Sequence, residues 1–372
     1  MLNKNIWKKI QNGIFIAVDI GKNFIQTKEE KSVKEYLQNA FVLVDKAVEA
    51  GVDAVKFQTH DYEDEQLNID VTSPHFNGSD RYNWVKRNTL STPVEKFWKP
   101  LKKYCENKGI IFFSTPMSRG AVRILDQIGG VDMWKVGSGD ILDFVMLDYE
   151  RNSGKPIILA SGMSTLEEIE MAVKFIQEKN KQVCLLHCVS KYPCPPEELN
   201  LRTIEFYKEK FNIPIGFSDH SIGIESAVVA VAMGATFIEK HFSLSRDLWG
   251  ADHKVSLTPD EAKEMVKKIG EMEKDENLRK NILASESAGK YMGEKDKILQ
   301  EDESVFRPLF RKSLMAGRDI MAGEILTSEK IYAMRPQAYT GGLPSEKYLE
   351  VLDKKFKKDI KKYDPIVWDI LE

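Results

Sequence analysis

The sequence predicts an α/β fold in which eight parallel strands close into a barrel, the TIM or (β/α)8 class, followed by a small β-rich domain. Short apolar runs alternate with helix-length segments throughout the first 275 residues. An unbroken series of strand–helix units favours a parallel sheet, and eight of them can close on themselves. A doubly wound open sheet is the alternative, but it would need edge strands, and all eight runs are apolar enough to be central.

Each predicted strand is a run of four to seven residues rich in aliphatic side chains. The strands are Ile14–Ile20, Ala54–Gln58, Ile110–Ser114, Met133–Val136, Ile157–Ala160, Val183–His187, Pro214–Phe217 and Thr236–His241. The helices that follow them are Val33–Ala50, Val94–Asn107, Arg119–Ile128, Asp143–Arg151, Leu166–Glu178, Leu201–Phe211, Glu225–Met233 and Pro259–Glu273. The last helix begins with a capping pattern, Thr258 before Pro259 and Glu261.

Two segments depart from this alternation. The connection Thr59–Ser91 is unusually long and holds His60, His75 and Trp84, so it is predicted to be functional rather than disordered. From Gly270 onward the chain becomes highly charged, and after residue 304 it is rich in turns. We therefore predict a barrel domain over residues 1–275, a linker over 276–304 and a second domain over 305–372.

Composition excludes several classes of function. The net charge of −3 gives no basic field for nucleic acid. No apolar run approaches the ~20 residues that cross a bilayer, and the basic start lacks the features of a signal peptide. The four cysteines are sparse and fit no zinc spacing. These features predict a cytoplasmic protein without a membrane partner.

Polar side chains stand at the carboxyl ends of all eight predicted strands, where the active sites of such barrels lie. They are Asp19, Lys56, Gln58, Ser114, Thr115, Lys135, Ser138, Asp140, Ser161, His187, Ser190, Tyr192, Ser218, Asp219, His220, Glu239, Lys240 and His241. His220 and His241 end neighbouring strands, so their side chains should converge. Either histidine alone would more readily be structural, but two imidazoles converging beside carboxylates predict a divalent-metal site.

The same strand ends predict an anion site. Positive charge comes from Lys56, Lys135 and, as a further candidate, Lys240. Hydroxyl groups and backbone N–H groups that a ligand can approach come from Ser138, Ser161, Ser218, Gly137, Gly139 and Gly162. Such a set suits a phosphate ester held near a divalent metal.

Several segments together resemble the sialic acid synthase family, the N-acetylneuraminate synthases. In the barrel region they are DIG (19–21), KFQTH (56–60), STPMSR (114–119), KVGSGD (135–140), ILASGMS (158–164), LLHCVSKYP (185–193), GFSDHS (216–221), EKHF (239–242) and GADHKVS (250–256). The tail, residues 312–336 with GLPS (342–345), resembles that family's antifreeze-protein-like, or SAF-type, domain. The resemblance implies condensation of phosphoenolpyruvate with an open-chain 2-acetamido sugar, giving a nine-carbon 2-keto acid and phosphate.

The resemblance also implies roles for individual residues. His220 and His241 match the metal ligands, usually of Mn²⁺, with Mg²⁺ or Co²⁺ as alternatives. The phosphoenolpyruvate site is expected to comprise Lys56, Lys135, Ser138, Ser161, Ser190 and Ser218. The sugar site is expected to comprise Gln58, Tyr192, Asp252 and Arg335. Asp19 and Asp140 are expected to position the sugar, stabilise positive charge or move protons. Arg335 matches an arginine that reaches into a partner subunit, which implies a domain-swapped homodimer.

The chain departs from the family pattern on the sugar side. Asp19 and Asp140 stand where glutamate is commoner, and Lys22-Asn23-Phe24 replaces a segment that usually ends in histidine. The acceptor therefore stays open among N-acetylmannosamine, its 6-phosphate and a bacterial di-acetamido sugar. Two other functions are considered. One is another phosphoenolpyruvate-dependent synthase of 3-deoxy-2-keto sugar acids, and the other is a non-catalytic binding protein on a degenerate barrel.

Overall fold

The computed structural model of the chain describes residues 2–69, 71 and 80–372. Within them, eight parallel strands close into a barrel in chain order, which confirms the barrel prediction. Every strand boundary lies within two residues of its predicted position. The strands are β1 (Phe15–Gly21), β2 (Ala54–Thr59), β3 (Ile111–Pro116), β4 (Trp134–Val136), β5 (Ile157–Ala160), β6 (Val183–Cys188), β7 (Ile215–Asp219) and β8 (Phe237–His241).

Helices surround the barrel and lead into the tail of the chain. They are α1 (Leu2–Asn12), α2 (Val33–Ala50), α3 (Tyr62–Glu65), α4 (Arg81–Ser91), α5 (Lys99–Lys108), α6 (Arg119–Gln127), α7 (Phe144–Asn152), α8 (Leu166–Gln177), α9 (Thr203–Lys210), α10 (Glu225–Ala232), α11 (Pro259–Met272), α12 (Glu276–Leu283), α13 (Glu286–Met292), α14 (Glu301–Ser304), α15 (Arg307–Phe310), α16 (Gln337–Thr340) and α17 (Tyr348–Val351). Among the described residues, no helix is both long and apolar enough to span a bilayer.

Helix α1 was not predicted, and it closes the amino-terminal end of the barrel. Ile6 and Ile10 are buried there and pack on apolar side chains at the beginnings of the strands. Among these are Phe15 and Phe237, whose rings stack with centroids 5.1 Å apart. This apolar layer closes the amino-terminal end, so the carboxyl end is the open mouth of the barrel.

Strand register brings charged side chains together at that mouth. Asp19 pairs with Lys56 on one side and with His241 on the other. Successive side chains of a strand point to opposite faces, so Ala17 and Asp19 both point into the barrel interior. The interior therefore changes from apolar to charged as the strands approach their carboxyl ends.

The long connection after β2 contains structure that the sequence did not predict. Helices α3 and α4 lie within it, and α3 is capped by Asp61, whose carboxylate accepts a hydrogen bond from the Glu63 N–H. His75, which the sequence placed in this connection, lies outside the described residues. The connection brings His60 and Trp84 to the barrel mouth.

The predicted linker is folded against the barrel rather than extended. Helices α12 and α13 both contact α10, and the backbone N–H groups of Leu201 and Arg202 donate to the carbonyl oxygens of Tyr291 and Met292. Glu303 of α14 is fully buried. A linker held by these contacts cannot carry the tail away from its own barrel without breaking them.

The tail is built around two antiparallel strands, β9 (Ser313–Ala316) and β10 (Ile331–Met334). Isolated backbone bridges such as Ile320 with Ile360 extend this pairing, and the rest is turns and short helices. Strand content is thus lower than a β-rich domain would have. The assignment of the tail to the antifreeze-protein-like class and the division of the chain into three predicted ranges stay predictions.

The tail lies over the mouth of its own barrel and brings Arg335 into the cavity. The Arg335 N–H donates to the Glu65 carbonyl oxygen at 2.9 Å, and the Leu67 N–H donates back to the Arg335 carbonyl oxygen at 2.9 Å. Arg335 therefore lies in the site of the same chain in this structure, and the expected exchange of tails between two subunits stays a prediction. The oligomeric state itself stays a prediction.

Candidate active site

A cavity of about 710 Å³ opens at the carboxyl ends of the barrel strands. Of the residues for which the family resemblance led us to expect a catalytic, substrate-binding or metal-binding role, all except Ser161 line it. They are Asp19, Lys56, Gln58, Lys135, Ser138, Asp140, Ser190, Tyr192, Ser218, His220, His241, Asp252 and Arg335. The structure thus brings together residues from β1, β2, β4, β6, β7, β8 and the tail.

Two lysines and two carboxylates form the charged floor of the cavity. Lys56 Nζ lies 2.8 Å from Asp19 Oδ2 and 3.0 Å from Glu239 Oε1. Lys135 Nζ lies 3.6 Å from the same Glu239 oxygen. Burial opposes ionisation, but Lys135 and Lys56 lower the pKa of Glu239 to about 2, and Asp19 and Glu239 raise the pKa of Lys56. Lys56 is paired with both carboxylates, whereas Lys135 lies only at 3.6 Å from Glu239, so Lys135 is the floor lysine more open to an anionic ligand.

The two histidines lie side by side above this floor, with ring centroids 5.6 Å apart. His220 Nδ1 is 2.8 Å from the Val189 carbonyl oxygen, which only accepts, so Nδ1 carries a proton. In the neutral imidazole, Nε2 is then the acceptor for the Tyr192 hydroxyl, 2.9 Å away. A carbonyl that fixes the tautomer in this way is typical of metal-binding histidines.

Unpartnered atoms beside the histidines fit a metal ion. Among the described residues, His241 Nδ1, Asp19 Oδ1 and Glu239 Oε2 are buried without a hydrogen-bond partner. The described part of the chain preassembles no cluster of three or more His, Cys, Asp or Glu donors. The residues therefore fit a divalent ion that takes two imidazoles from the protein and fills its other positions with water or substrate.

A small hydroxyl-lined cradle lies on the β4–β6 side of the mouth. A Cβ atom at Gly162 would collide with the Ser190 hydroxyl and come within 2.6 Å of the Ser138 hydroxyl. Only glycine leaves room there, so both hydroxyl groups and the backbone of residue 162 face one small space. Such a cradle suits the oxygens of a phosphate group.

Cations from the tail hold the Asp140 carboxylate. Arg335 donates to Asp140 Oδ1, and Lys312 Nζ lies 2.9 Å from the same oxygen. Burial opposes ionisation, but Arg335 and Lys312 hold the pKa of Asp140 below its usual value. Asp140 is therefore a charged anchor for Arg335 rather than a free acid or base.

Two expected residues do not reach the cavity, and the alternation of side chains explains both. Ala160 lines the cavity, so the next side chain, the fully buried Ser161, faces away from it. Likewise, Glu239 and His241 line the cavity, whereas Lys240 between them pairs with Asp219 at 2.7 Å. The expectations that Ser161 binds phosphoenolpyruvate and that Lys240 supplies charge are therefore not supported by position.

Several lining residues were missed by the sequence analysis. Lys22, Arg81 and Trp249 lie in connections, where no strand periodicity marks their direction, and Trp84 was named only as part of a connection predicted to be functional. Glu239, which the sequence analysis named as a strand-end residue without a specific role, shares the inward face of β8 with His241.

Glu303 was also missed, and it acts from outside the cavity. Its Oε1 atom accepts hydrogen bonds from the Met163 N–H at 2.9 Å and the Ser190 N–H at 2.8 Å. It thereby fixes the two loops that carry Gly162 and Ser190.

Comparison with known proteins agrees with this geometry. The chain is 34% identical to a pseudaminic acid synthase of Campylobacter jejuni, over 87% of this chain and 90% of that protein. It is 30% identical to the human N-acetylneuraminate-9-phosphate synthase, over 98% of this chain and 95% of that protein. The crystal structure of the Bacillus subtilis spore coat polysaccharide biosynthesis protein SpsE covers 96% of this chain and 95% of its own, at 31% identity and a TM-score of 0.76.

The family model described as NeuB family matches residues 43–279, which is most of the barrel. The tail lies outside the matched range, but the relatives cover it in part. The resemblance to sialic acid synthases is confirmed, and the chain belongs to the NeuB family.

Proposed function

We propose that the protein joins phosphoenolpyruvate to the open-chain form of a 2-acetamido sugar, giving a nine-carbon 2-keto sugar acid and inorganic phosphate. The supporting observation is that one cavity holds a lysine-and-hydroxyl anion site next to a histidine pair. Two relatives named as sugar-acid synthases support the same class of reaction. This C–C-bond-forming transferase would work in the cytoplasm, where its free cysteines stay reduced.

Phosphoenolpyruvate would bind on the lysine side of the cavity. Its phosphate group would occupy the cradle of Ser138, Ser190 and Gly162, and Lys135 would offer its ammonium group to the anion. Burial lowers the pKa of Lys135, and Glu239 only partly offsets this effect. A bound anion would raise that pKa again, so ligand binding and lysine protonation should favour each other.

The acceptor aldehyde would lie at the histidine pair. His220 and His241 would hold a divalent ion, proposed to be Mn²⁺ with Mg²⁺ or Co²⁺ as alternatives, which when bound polarises the aldehyde oxygen as a Lewis acid. C3 of phosphoenolpyruvate then bonds to the aldehyde carbon, whose oxygen takes up a proton. Water adds at C2, and Asp19 Oδ1, which lacks a partner among the described residues, is placed to take its proton. The bond from C2 to the phosphate oxygen breaks, leaving the 2-keto acid and phosphate.

The remainder of the sugar would lie against Gln58, Tyr192, Asp252 and Arg335. The Tyr192 hydroxyl is 2.9 Å from His220 Nε2, which places it beside the reacting aldehyde. Asp140 would act through Arg335, since it fixes the guanidinium group from behind.

The test is release of inorganic phosphate from phosphoenolpyruvate, with and without each sugar of an acetamido-sugar panel. We expect release only when sugar and a divalent ion are both present, with loss in EDTA and recovery on adding Mn²⁺. His220→Gln should abolish release. His187→Gln, a buried histidine that does not line the cavity, is the matched control and should retain it. Full activity of the metal-stripped protein would refute the metal assignment, and release without sugar would refute the reaction.

A further inference from the structure

Lys22 is a half-buried lysine that lines the cavity without a carboxylate partner in the described part of the chain. The other cavity lysines of the floor, Lys56 and Lys135, lie close to Glu239. Burial lowers the pKa of Lys22 to about 8, so the side chain is still mostly an ammonium ion at pH 7. The proposed reaction gives the Lys22 cation no role.

Backbone geometry directs Lys22 toward the mouth. It follows β1 in a tight turn in which Gly21 has φ of +52°, in the left-handed region that favours glycine. A Cβ atom at Gly21 would lie 3.1 Å from Gln58 Nε2 and 3.3 Å from Asp19 Oδ1. Gly21 therefore permits both the turn and the close approach of two site residues to it.

A chain of two hydrogen bonds holds the ammonium group in place. Lys22 Nζ lies 3.2 Å from His60 Nε2, and His60 Nδ1 lies 2.6 Å from Glu65 Oε2. An ammonium group only donates, so His60 Nε2 accepts and Nδ1–H donates to Glu65. Burial lowers the pKa of His60 to about 4, which agrees with a neutral ring. The contact orients the Lys22 ammonium group. Because the contacting imidazole is neutral, it does not cancel the positive charge of Lys22.

Aromatic surfaces adjoin this cation. Lys22 Nζ lies 5.4 Å from the centroid of the Trp84 ring, and Trp84 meets Trp249 edge to face at 5.6 Å. Both tryptophans line the cavity. Aromatic rings with a cation beside them suit a carbohydrate chain that ends in a negative charge.

Lys22 lies on the side of the barrel away from the phosphate cradle. It follows β1, whereas Gly162 follows β5, which is four strands away in either direction around the closed barrel. Asp252 is close to both groups: burial raises its pKa, but the charges of His241 and Lys22 both lower it, and the net pKa is below its usual value. An acceptor whose aldehyde meets the histidine pair would thus extend its far end past Asp252 toward Lys22.

We propose that Lys22 binds a negatively charged group at the end of the acceptor sugar remote from its aldehyde, either a phosphate monoester or a carboxylate. This inference rests on the proposed function and narrows its substrate class. Lys22 stands where the departures from the family pattern cluster, so it would act as a specificity-determining residue of this chain.

The test compares three acceptors with the full-length protein at fixed, saturating phosphoenolpyruvate: N-acetylmannosamine, its 6-phosphate and N-acetylmannosaminuronic acid. We expect kcat/KM for one of the charged sugars to exceed that for the neutral sugar at least about tenfold, the scale of one hydrogen bond to a charged group. The charged sugar with the higher kcat/KM shows whether the site recognises a phosphate or a carboxylate. Lys22→Met should reduce the charged-to-neutral ratio about 10- to 100-fold, and Lys22→Arg should keep most of it.

Lys34→Met, at an exposed lysine of α2, is the matched control and should leave the ratio unchanged. A neutral sugar used as well as either charged one would overturn the inference while leaving the proposed function intact. So would an equal loss of kcat/KM for all three sugars in Lys22→Met. Failure of every acetamido sugar to release phosphate would overturn the proposed function and the inference with it. Thermal unfolding of Lys22→Met reports whether the variant is folded, and isothermal titration calorimetry with the sugars reports whether it has lost recognition.

Discussion

Replacing Glu303 by alanine should damage phosphoenolpyruvate binding from a distance. Glu303 lies in the predicted linker and does not line the cavity. One of its oxygens accepts hydrogen bonds from the N–H groups of both Met163 and Ser190. Those residues flank the cradle proposed for the phosphate group, so Glu303 is a positioning residue for that cradle.

The size of the expected loss of stability follows from the two backbone N–H groups that lose their acceptor when Glu303 is replaced. A buried N–H group without an acceptor costs about 1–3 kcal/mol. Glu303→Ala should therefore lower the free energy of unfolding by about 2–6 kcal/mol. If the Ser190 loop moves so that its N–H group can bond to water, KM for phosphoenolpyruvate should rise about tenfold or more. Glu303→Gln keeps an accepting oxygen without the charge, so its effects should be about half as large.

The assay pairs urea unfolding with steady-state kinetics in which each substrate is varied in turn. Glu301→Ala, at an exposed residue of the same short helix, is the control and should change neither quantity. KM for phosphoenolpyruvate should rise more than KM for the sugar. An Ala variant with both KM values within twofold of wild type would refute the positioning role, whatever its stability.

Three further predictions concern charge, pH and assembly. Lys135→Met should raise KM for phosphoenolpyruvate about 10- to 100-fold, since a hydrogen bond to a charged group contributes about 1.5–3 kcal/mol; an unchanged KM would contradict its role. Because the pKa of Lys22 is about 8, KM for a charged sugar should rise as the pH passes from 7 to 9, when the ammonium proton is lost, and a flat profile would count against Lys22. Mixed His220→Ala and Arg335→Ala subunits should stay inactive if each tail serves its own barrel, as in this structure; activity that returns on demonstrated subunit exchange would establish the swapped dimer instead.

The barrel could be predicted because its signal is local and repeated. Each strand is a short apolar run followed by a helical segment, and Thr258 with Glu261 forms the capping box that the sequence indicates. The strand ends also located the cavity, because parallel strands bring their carboxyl ends to one face. Ser161 and Lys240 do not line the cavity, because a position at a strand end does not by itself make a side chain point inward.

The remaining features depend on contacts between distant parts of the chain. Lys22 reaches the cavity through a glycine turn and is held by His60 and Glu65 of another connection. The placement of the tail depends on the packing of the linker helices, including the burial of Glu303. A charged segment gives no sign of such packing, because burial of one carboxylate requires donors that only the folded barrel supplies.

The most direct measurement is the stoichiometry of the full reaction, with products quantified by mass spectrometry and a phosphate assay. The proposed function predicts one nine-carbon 2-keto sugar acid for each phosphate released, with both substrates and a divalent ion required. Phosphate accompanied by pyruvate, with the sugar recovered unchanged, would show that the cavity hydrolyses phosphoenolpyruvate and would contradict the proposal.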